Sequence, residues 1–443
     1  MTHDTHRPPR HLPRVASYTL QRQLPAEVLL GVFGGVFGLG GFALRRSLGA
    51  PELLVPLVLA LGQLPWALAP SWQPLFGSMD RRRAFVVLGW MSKGPLLLVA
   101  FVSVVATGGA GMGQGDYVLF LILLVLFYVG DSAYIPHRAA LIGSNYPAHV
   151  RGRMFGLLAM AAMLAQVAAS KASGWVLDHD PRSLRWLFPL AAALGIAGHV
   201  VLSRIAWRAP PMPATPGVRG LKAAGRAVAR TWHDTRDVLR ADPAFRRYEL
   251  GFMLYGFGLN MSMSVLLLYS EGSLKVSYAD WTTAQGVANP LAYLLSVALL
   301  GRLVDRLGVV RLTMGSFALL STYFLLLPLV DSLGGLVLTY ILFGISMAGV
   351  VLGWNLGPLH FAPPQRAHQY MSVHVALVAF RSTLAPLAGF VVYRLLDAPS
   401  TFLCSAALVL AAVLVMQRLD RHVRRQERMA RLPDIPTEQA AGA

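Results

Sequence analysis

The sequence predicts an all-α polytopic membrane protein with twelve transmembrane helices in two pseudo-symmetric six-helix bundles. The chain of 443 residues is 55% hydrophobic and only 14% charged, whereas soluble domains are nearer a quarter charged. Apolar stretches of about 20 residues, enough to cross ~30 Å of hydrocarbon, recur along it. A short basic loop at 77–83 also recurs half a chain length later, at 301–311. Each copy stands between two apolar stretches, which indicates two copies of one bundle.

Hydropathy and helix-breaking residues place six spans in each half. In the first half we predict spans 1 to 6 at 25–44, 52–72, 84–107, 117–136, 154–177 and 186–206. In the second half we predict spans 7 to 12 at 248–269, 278–304, 312–330, 335–359, 370–395 and 399–417. The two bundles then cover residues 25–206 and 248–417. The polar residues 1–24 form an N-terminal tail that does not look like a cleavable signal peptide.

Two segments outside the bundles are basic. The linker, 207–247, opens with four prolines and continues with apolar residues at helical spacing opposite Lys and Arg. This pattern predicts an amphipathic helix on the membrane surface. The C-terminal segment, 418–443, is a basic tail whose run of arginines suggests a second surface helix or a solvated tail.

Charge predicts the orientation. Most of the 39 Lys and Arg residues fall on the side that holds both termini, so the positive-inside rule places both termini in the cytoplasm. We expect a multi-pass protein of the bacterial inner membrane, monomeric and surrounded by lipid. The net charge of +18 does not indicate nucleic-acid binding, because the charges are divided among short loops. Cys404 is the only cysteine, which excludes an internal disulfide.

The second basic loop carries a spaced motif. Gly301, Asp305, Arg306, Gly308 and Arg311 fit the pattern Gly-x-x-x-Asp-Arg-x-Gly-x-x-Arg. In this respect the sequence resembles the major facilitator superfamily, which has such a loop between spans 2 and 3 and often between spans 8 and 9.

The first copy departs from the pattern. It keeps Asp80 and Arg81, but Gly77 lies one residue too close to Asp80 and Arg83 replaces the second glycine. The resemblance extends to the segment around Arg151, which enters span 5.

The resemblance implies alternating access by rocking of the two bundles, with the loops as gate. The gating residues would be Gly77, Asp80, Arg81, Arg151, Gly301, Asp305, Arg306, Gly308 and Arg311. The two aspartates would hold the bundles together in the outward-facing state. The alternative is that these charges only set the topology and end helices.

Ionisable residues at membrane depth are costly and are usually paired or functional. Lys93 in span 3 and Asp131 in span 4 are predicted at similar depth on consecutive antiparallel spans, so we expect an ion pair between them. The pair either fixes packing or lets Asp131 carry a coupling proton while Lys93 tunes it. His374 in span 11 is a further candidate for proton coupling, or a packed histidine.

Two further cations point to the solute. Lys171 in span 5 and Arg381 in span 11 have no obvious acidic neighbour in their own helices. In the superfamily these spans flank the central cavity, so the resemblance implies an anionic group on the solute. Membrane-surface contact for Lys171 and a structural contact for Arg381 are the alternatives. By position alone, the resemblance adds Tyr255, Asn260, Trp354 and Asn355 as substrate contacts.

The expected function is secondary active transport of a small organic or amphipathic solute, with proton-coupled export (efflux) favoured. Uptake of an organic anion is the first alternative, and a receptor that has lost transport is the second. No Walker-type phosphate loop occurs, so ATP does not drive it through this chain. A membrane enzyme using His137, His360 or Asp131 is disfavoured because the histidines are scattered and the halves repeat. We expect no cofactor and no metal.

Overall fold

The computed structural model describes residues 14–67, 72, 79–102, 114–206 and 221–430. Within this part, eleven helices are long and apolar enough to cross a membrane, and the helix of span 2 is shorter. Most of the remainder of span 2 lies outside the described residues. In the first half the helices are Arg14–Phe37 with Gly40–Arg46 (span 1), Leu54–Ala67 (span 2), Arg81–Lys93 (span 3), Gln114–Asn145 (span 4), Ala148–His179 (span 5) and Leu184–Ser203 (span 6).

The second half begins after a linker helix, Leu221–Ala241. Its spans are Pro243–Gly272 (span 7), Tyr278–Leu307 (span 8), Val309–Leu326 (span 9), Leu333–Phe361 (span 10), Ala367–Leu395 (span 11) and Ala398–Ala430 (span 12). The predicted fold class is confirmed.

Span 1 begins well before the predicted residue 25, because polar residues of the expected tail find partners inside the bundle. Thr19 and Gln23 are fully buried. The Asn145 amide donates to the Thr19 hydroxyl at 3.1 Å, and the Tyr146 hydroxyl donates to the Gln23 side chain at 3.0 Å. A hydropathy count treats such residues as exposed, although their hydrogen bonds allow them to be buried.

Span 12 runs on to Ala430, so the predicted tail helix is a continuation of it. Asp420 lies in this extension and accepts from Arg311 of span 9 and from Arg424, each at 3.1 Å. The extension is therefore tied to span 9 by charge. The linker helix is tied to span 11 instead: Val238 is buried with Tyr370 and Val373, and Trp232 contacts Phe380. Its placement on a membrane surface stays a prediction.

Two spans contain irregular turns at prolines. Span 3 continues after Lys93 as a 3₁₀ segment, Gly94–Phe101, with Pro95 near its start. Span 8 contains a π-helical segment, Thr282–Ala288, which ends two residues before Pro290. Proline cannot donate to the preceding turn and its ring displaces that turn. Span 8 can therefore bend near the point where it meets the first half.

The packing repeats between the halves. Span 1 packs along spans 5 and 6, and span 7 packs along spans 11 and 12. Gly34 faces Gln166 of span 5, and Gly256 faces Arg381 of span 11. The same number of residues separates Gly34 from Gly256 as separates Glu27 from Glu249. The two bundles predicted from the sequence are therefore copies in contact pattern as well as in hydropathy.

The halves meet through span 5 with span 8 and span 2 with span 11, which are equivalent pairs under the repeat. We call the end at which span 1 begins and span 12 ends the termini end, and the opposite end the far end. This pseudo-two-fold arrangement leaves the helix bundles in contact mainly along four spans.

Candidate functional site

The far end of the molecule is closed by contacts between the halves. Arg45 pairs with Glu271 at 3.1 Å and Arg394 pairs with Glu52 at 3.4 Å. The Ser47 and Tyr278 hydroxyls share a hydrogen bond of 2.5 Å, and Phe42 stacks on Trp281. Every hydrogen bond and ion pair identified between described side chains of opposite halves lies in the far half of the molecule.

Asp178, near the end of span 5, makes the most direct of these contacts. Its two carboxylate oxygens accept from the backbone N–H groups of Tyr278 (2.8 Å) and Ala279 (2.6 Å) at the start of span 8. A helix N-terminus has unpaired N–H groups and partial positive charge, so a carboxylate is stabilised there. The first half thus caps a helix of the second half.

Lys171 makes its described contacts at the same interface. Its ammonium donates to the Thr283 hydroxyl at 2.5 Å and to the Ala279 carbonyl at 3.1 Å, both on span 8. The expectation that Lys171 and Arg381 act together on one solute gains no support from these contacts. The rotation of span 5 directs Lys171 towards span 8 while Arg381 stays within its own half.

At the termini end, no hydrogen bond or ion pair between the halves is identified among the described residues, in contrast to the far end. A Cβ atom added at Gly152, Gly156 or Gly301 would meet no atom within 4 Å. Among the described residues, no neighbouring helix therefore packs closely at Gly301. The described contacts between the two bundles are concentrated at the far end.

The second basic loop lies at the termini end. Asp305 and Arg306 are exposed, and no partner of the Asp305 carboxylate is found among the described residues. Gly308 joins spans 8 and 9 with φ +81°, a conformation that favours glycine. Arg311 is the member of the motif that reaches another helix, through Asp420.

The first basic loop is only partly described. Gly77 and the side chain of Arg81 lie outside the described residues. Asp80 is exposed and caps span 3, accepting from the Arg83 backbone N–H at 3.3 Å. Arg151 donates to the Tyr146 carbonyl at 3.2 Å in the loop before span 5. These contacts fit helix capping, and the gating role of these residues stays a prediction.

Arg381 is a buried cation with an incomplete set of partners. Arg381 is 4% exposed, and its guanidinium lies 4.7 Å from the centre of the Tyr255 ring. One N–H group donates to the Tyr255 hydroxyl at 3.3 Å, whereas Nε and Nη1 have no partner among the described residues. Gly256 provides the space for the Arg381 side chain, because a Cβ atom at this position would overlap the guanidinium. Burying such donors is costly unless a further group binds them.

Three of the four residues assigned by position lie near Arg381 or His374. Tyr255 contacts Arg381 directly, and the Asn260 amide donates to the hydroxyl of Ser382, the residue after Arg381, at 3.3 Å. The Trp354 ring faces His374 at 5.7 Å. Asn355 is exposed and donates to the Val351 carbonyl of its own helix.

The predicted ion pair between spans 3 and 4 is present. Lys93 Nζ lies 2.9 Å from the Asp131 carboxylate, with side-chain exposures of 2% and 30%. The ammonium also faces three aromatic rings, of Phe33, Phe127 and Tyr134, at 5.1 to 5.6 Å. Such rings stabilise a desolvated cation. The presence of the pair is confirmed, and its role stays a prediction.

A second buried pair, absent from the sequence analysis, joins spans 7 and 11. His374 Nδ1 lies 2.9 Å and 3.0 Å from the two carboxylate oxygens of Glu249, and both side chains are essentially inaccessible. Glu249 was overlooked because it stands at the predicted edge of span 7. The signal that could have revealed it is the repeat, which gives Glu27 the equivalent place in span 1.

Glu27 is paired as well, but with arginine. Arg138 Nε and the Gln23 amide donate to the same carboxylate oxygen of Glu27, each at 3.0 Å. The Tyr146 hydroxyl in turn donates a hydrogen bond to the Gln23 side chain. Burial, with a contribution from the Glu27 carboxylate, raises the pKa of Tyr146 well above its usual range. This phenol therefore stays neutral and remains a donor.

No cluster of three or more His, Cys, Asp or Glu side chains that could hold a metal occurs in the described parts of the chain. The described groups comprise the buried Arg381 cation, three carboxylate pairs within the bundles and the contacts between the halves at the far end.

Residues 25–386 match the sequence model of the family described as Major Facilitator Superfamily. The chain is 24% identical over 317 residues to an uncharacterized MFS-type transporter, YuxJ, of Bacillus subtilis (strain 168), covering 70% of this chain and 76% of that protein.

The fold is also similar to solved structures. One is a POT family transporter in complex with 5-aminolevulinic acid (TM-score 0.68, 14% identity, 92% of this chain and 96% of that one). Another is the nucleoside transporter NupG (TM-score 0.63, 10% identity, 91% and 99%). A third is the human organic anion transporter MFSD10 (TM-score 0.58, 17% identity, 93% and 100%).

Proposed function

This chain belongs to the Major Facilitator Superfamily and is a membrane transporter of that type, and we propose that it takes up a small organic anion together with a proton. The observation that carries the proposal is Arg381, a buried guanidinium with two N–H positions unpartnered among the described residues. The solutes named for the similar structures differ, so the fold leaves the solute open and the site must indicate it.

Alternating access accounts for the asymmetry between the two ends. The hydrogen bonds and ion pairs identified between described residues of opposite halves lie at the far end and none at the termini end, and the halves are related by the repeat. Rocking one half against the other would exchange these two conditions around a site near the middle. Loss of the far-end contacts would then open the far end of the molecule.

The positive-inside rule assigns a direction to these ends. With both termini in the cytoplasm, the termini end faces the cytoplasm and the conformation described here is inward-facing. The exposed Asp305 fits this state, because the gating role implied by the family resemblance makes its contacts only when the cytoplasmic side is closed. We propose a bacterial plasma membrane location and a monomer as the transporting unit.

The solute's anionic group would bind at Arg381. A carboxylate, phosphonate or similar group accepts strongly from a guanidinium, and Nε and Nη1, which lie on different edges of the Arg381 guanidinium, are the positions free to donate to it among the described residues. Tyr255 lies against the guanidinium and can contact the same solute. Asn260, which donates to Ser382, and Trp354, which faces His374, are further candidates for contact with the solute. An amphipathic anion would use both kinds of contact.

Proton-coupled export, the direction favoured by the sequence analysis, is the competing proposal. Uptake is preferred here because a proton bound near Arg381 strengthens the binding of an anion, and two ligands that strengthen each other travel together. Asp131, Lys93 and His374 were the predicted coupling residues. The His374 pair is buried and the Lys93–Asp131 pair is partly exposed on the Asp131 side, and either pair changes its net charge only if one member loses or gains a proton.

The test uses purified protein in proteoliposomes. A thermal-shift screen of small organic acids identifies a binding solute, and its radiolabelled form is then offered to vesicles with an imposed pH gradient. Uptake coupled to protons predicts accumulation when the lumen is alkaline, in either orientation of the protein. Export by exchange predicts accumulation when the lumen is acidic.

Empty vesicles and the Arg381→Gln variant serve as controls. Accumulation with an alkaline lumen that is lost in the variant supports the proposal. Accumulation with an acidic lumen would overturn the direction, and binding without flux in either gradient would favour a receptor.

Replacing Asp178 with Asn is expected to open the far end. The variant keeps the size of the side chain but loses the charge that accepts two backbone N–H groups, and hydrogen bonds to a charged group contribute about 1.5–3 kcal/mol each. A population shift of at least about tenfold towards the far-end-open state follows. The measurement is the labelling rate of a cysteine introduced at Ser47 in a Cys404→Ser background.

The matched control for this prediction is Asp180→Asn. Asp180 is exposed and accepts from Arg182 within its own turn, without touching the other half. Equal labelling rates in the Asp178 variant, the Asp180 variant and the parent protein would contradict the proposed closing role.

A further inference from the structure

Glu249 is one of two glutamates that the internal repeat places at equivalent positions. Glu27 on span 1 and Glu249 on span 7 are separated by the same number of residues as Gly34 and Gly256. Both are buried, with 3% and 2% exposure. A carboxylate at such a position needs a partner, and the two halves supply partners of different chemistry from spans that are not equivalent.

In the first half the partner is permanently charged. Arg138 of span 4 donates to Glu27 at 3.0 Å, and a guanidinium does not lose its proton in proteins. The pair therefore keeps zero net charge at every physiological pH. It can hold span 1 to span 4, but it cannot report proton concentration.

In the second half the partner can change charge. An imidazole can be either neutral or cationic, so the Glu249–His374 pair is neutral when His374 is protonated and carries one negative charge when it is not. The ring nitrogen that faces away from Glu249, Nε2, is buried and has no hydrogen-bond partner among the described residues. That nitrogen is the free position through which a proton can arrive or leave.

We propose that Glu249 and His374 form the binding site of the coupling proton, and that Glu27 and Arg138 are its permanently charged counterpart. The proposal rests on the proposed function, because it assigns the coupling step of that transport cycle. The proposal assigns the coupling proton to His374 and not to the Lys93–Asp131 pair, in which three aromatic rings face the Lys93 ammonium.

The groups around the pair do not replace it in this role. On its own element, the Tyr248 hydroxyl donates to the Gly353 carbonyl of span 10 at 2.8 Å. Several charges on the neighbouring elements are paired or exposed: Arg311 with Asp420 (spans 9 and 12), His360 (span 10, exposed), Arg366 (before span 11, exposed), Arg240 (linker helix, exposed) and Asp242, which accepts from the Tyr370 hydroxyl at 3.1 Å. Arg246 and Arg247 of span 7 are exposed, Asp234 of the linker helix and His422 of span 12 are half-buried, and Arg381 of span 11 is buried.

The pair is close enough to Arg381 to affect an anion bound there. His374 and Arg381 lie seven residues apart on span 11, about 10 Å along the helix axis. Phe252 and Tyr255 fill the space, with Phe252 contacting both His374 and Tyr255. At this distance one unit of charge changes anion affinity on the order of tenfold with an effective dielectric constant near 20.

The sign follows from the charges. Loss of the proton leaves the pair negative, which repels the anion and attracts the guanidinium. Affinity for an anion is therefore expected to be about tenfold higher when the pair holds the proton than when it has lost it, and by reciprocity the anion favours proton binding to the same extent.

The main test variant is His374→Arg, which gives span 7 the pairing that span 1 already has. Glu249→Gln removes the acidic member as a second route to the same loss, and Glu27→Gln is the matched control in the first half. Spin labels at Arg153 and Gln365, two exposed positions at the termini end of opposite halves, report opening in full-length protein in nanodiscs, in a Cys404→Ser background. The probe is pH alone, so no solute is needed.

The parent protein is expected to change its label–label distance distribution between about pH 8 and pH 5. His374→Arg and Glu249→Gln should make the distribution independent of pH, whereas Glu27→Gln should retain the response. Potentiometric titration over the same interval should show one proton fewer taken up by His374→Arg than by the parent. Size-exclusion profiles and Tm identify any variant that fails to fold. If one of His374→Arg and Glu249→Gln fails, the other decides whether the proposal holds.

Two results would overturn the proposal: a parent distribution that does not change with pH, or a response that survives in His374→Arg and Glu249→Gln. These outcomes are separable from failure of the transport proposal. Solute flux with an unaltered pH response in His374→Arg refutes the proton site alone. A pH response of the expected kind without flux for any organic acid refutes transport alone.

Discussion

Arg381→Met is expected to abolish transport while making the protein more stable. The guanidinium is buried with two unpartnered N–H positions, and each unsatisfied buried donor costs about 1–3 kcal/mol. Methionine fills a similar volume without those donors. We therefore expect a net rise in Tm, because removing the unpaired donors stabilises the protein by more than loss of the Tyr255 contact destabilises it. Transport should fall at least about 30-fold, because the partner that a bound anion needs is gone.

The opposite signs of the two effects distinguish an anion site from a structural arginine. Arg311→Met is the matched control, since it breaks a pair with Asp420 between partly exposed side chains and should lower stability by up to about 1 kcal/mol. Arg381→Lys should retain part of the transport, because it keeps the charge and loses the planar fork. A fall in Tm for Arg381→Met that matches the Arg311 variant would show that Arg381 serves packing.

Asp131→Asn is expected to lower the free energy of unfolding by about 3 kcal/mol. The substitution leaves Lys93 charged, 2% exposed and without its carboxylate. We place the effect at the lower end of the range for broken buried pairs because Asp131 is 30% exposed and three rings still face the ammonium. Equilibrium unfolding in mixed micelles measures it.

The double substitution Lys93→Met with Asp131→Leu should recover most of this loss, because apolar side chains of similar size replace buried ion pairs at little cost. Arg394→Ala is the control: its pair with Glu52 is 65% exposed on the arginine side and should change stability by less than about 1 kcal/mol. Unchanged stability in Asp131→Asn, combined with loss of pH-dependent transport, would instead assign the coupling proton to Asp131.

Hydropathy and internal repetition were sufficient to predict the architecture, because a helix that crosses lipid must be apolar over its whole length. They failed at the two chain ends of the bundle. Gln23 and Asp420 are polar, and a sequence count cannot show that Tyr146 and Arg311 satisfy them. The helices therefore extend further than hydropathy indicates.

Within the site, the pairing of Lys93 with Asp131 was predictable because consecutive spans are antiparallel and depth can be counted from their ends. The environment of Lys171 was not, since it depends on the rotation of span 5 and on which end of the molecule is closed. Glu249 was predictable only through Glu27, by comparing the halves residue by residue. Burial of that position could not be judged from its place near the end of an apolar stretch.

The clamp that Asp178 makes on the start of span 8 has a consequence for how this protein tolerates substitution. One side of the contact is a specific carboxylate, but the other consists of main-chain N–H groups that nearly every amino acid possesses. Position 279 can therefore accept most side chains without weakening the clamp, with proline as the exception. Sequence variation would be restricted at 178 and free at 279, so a search for paired substitutions would not find this contact.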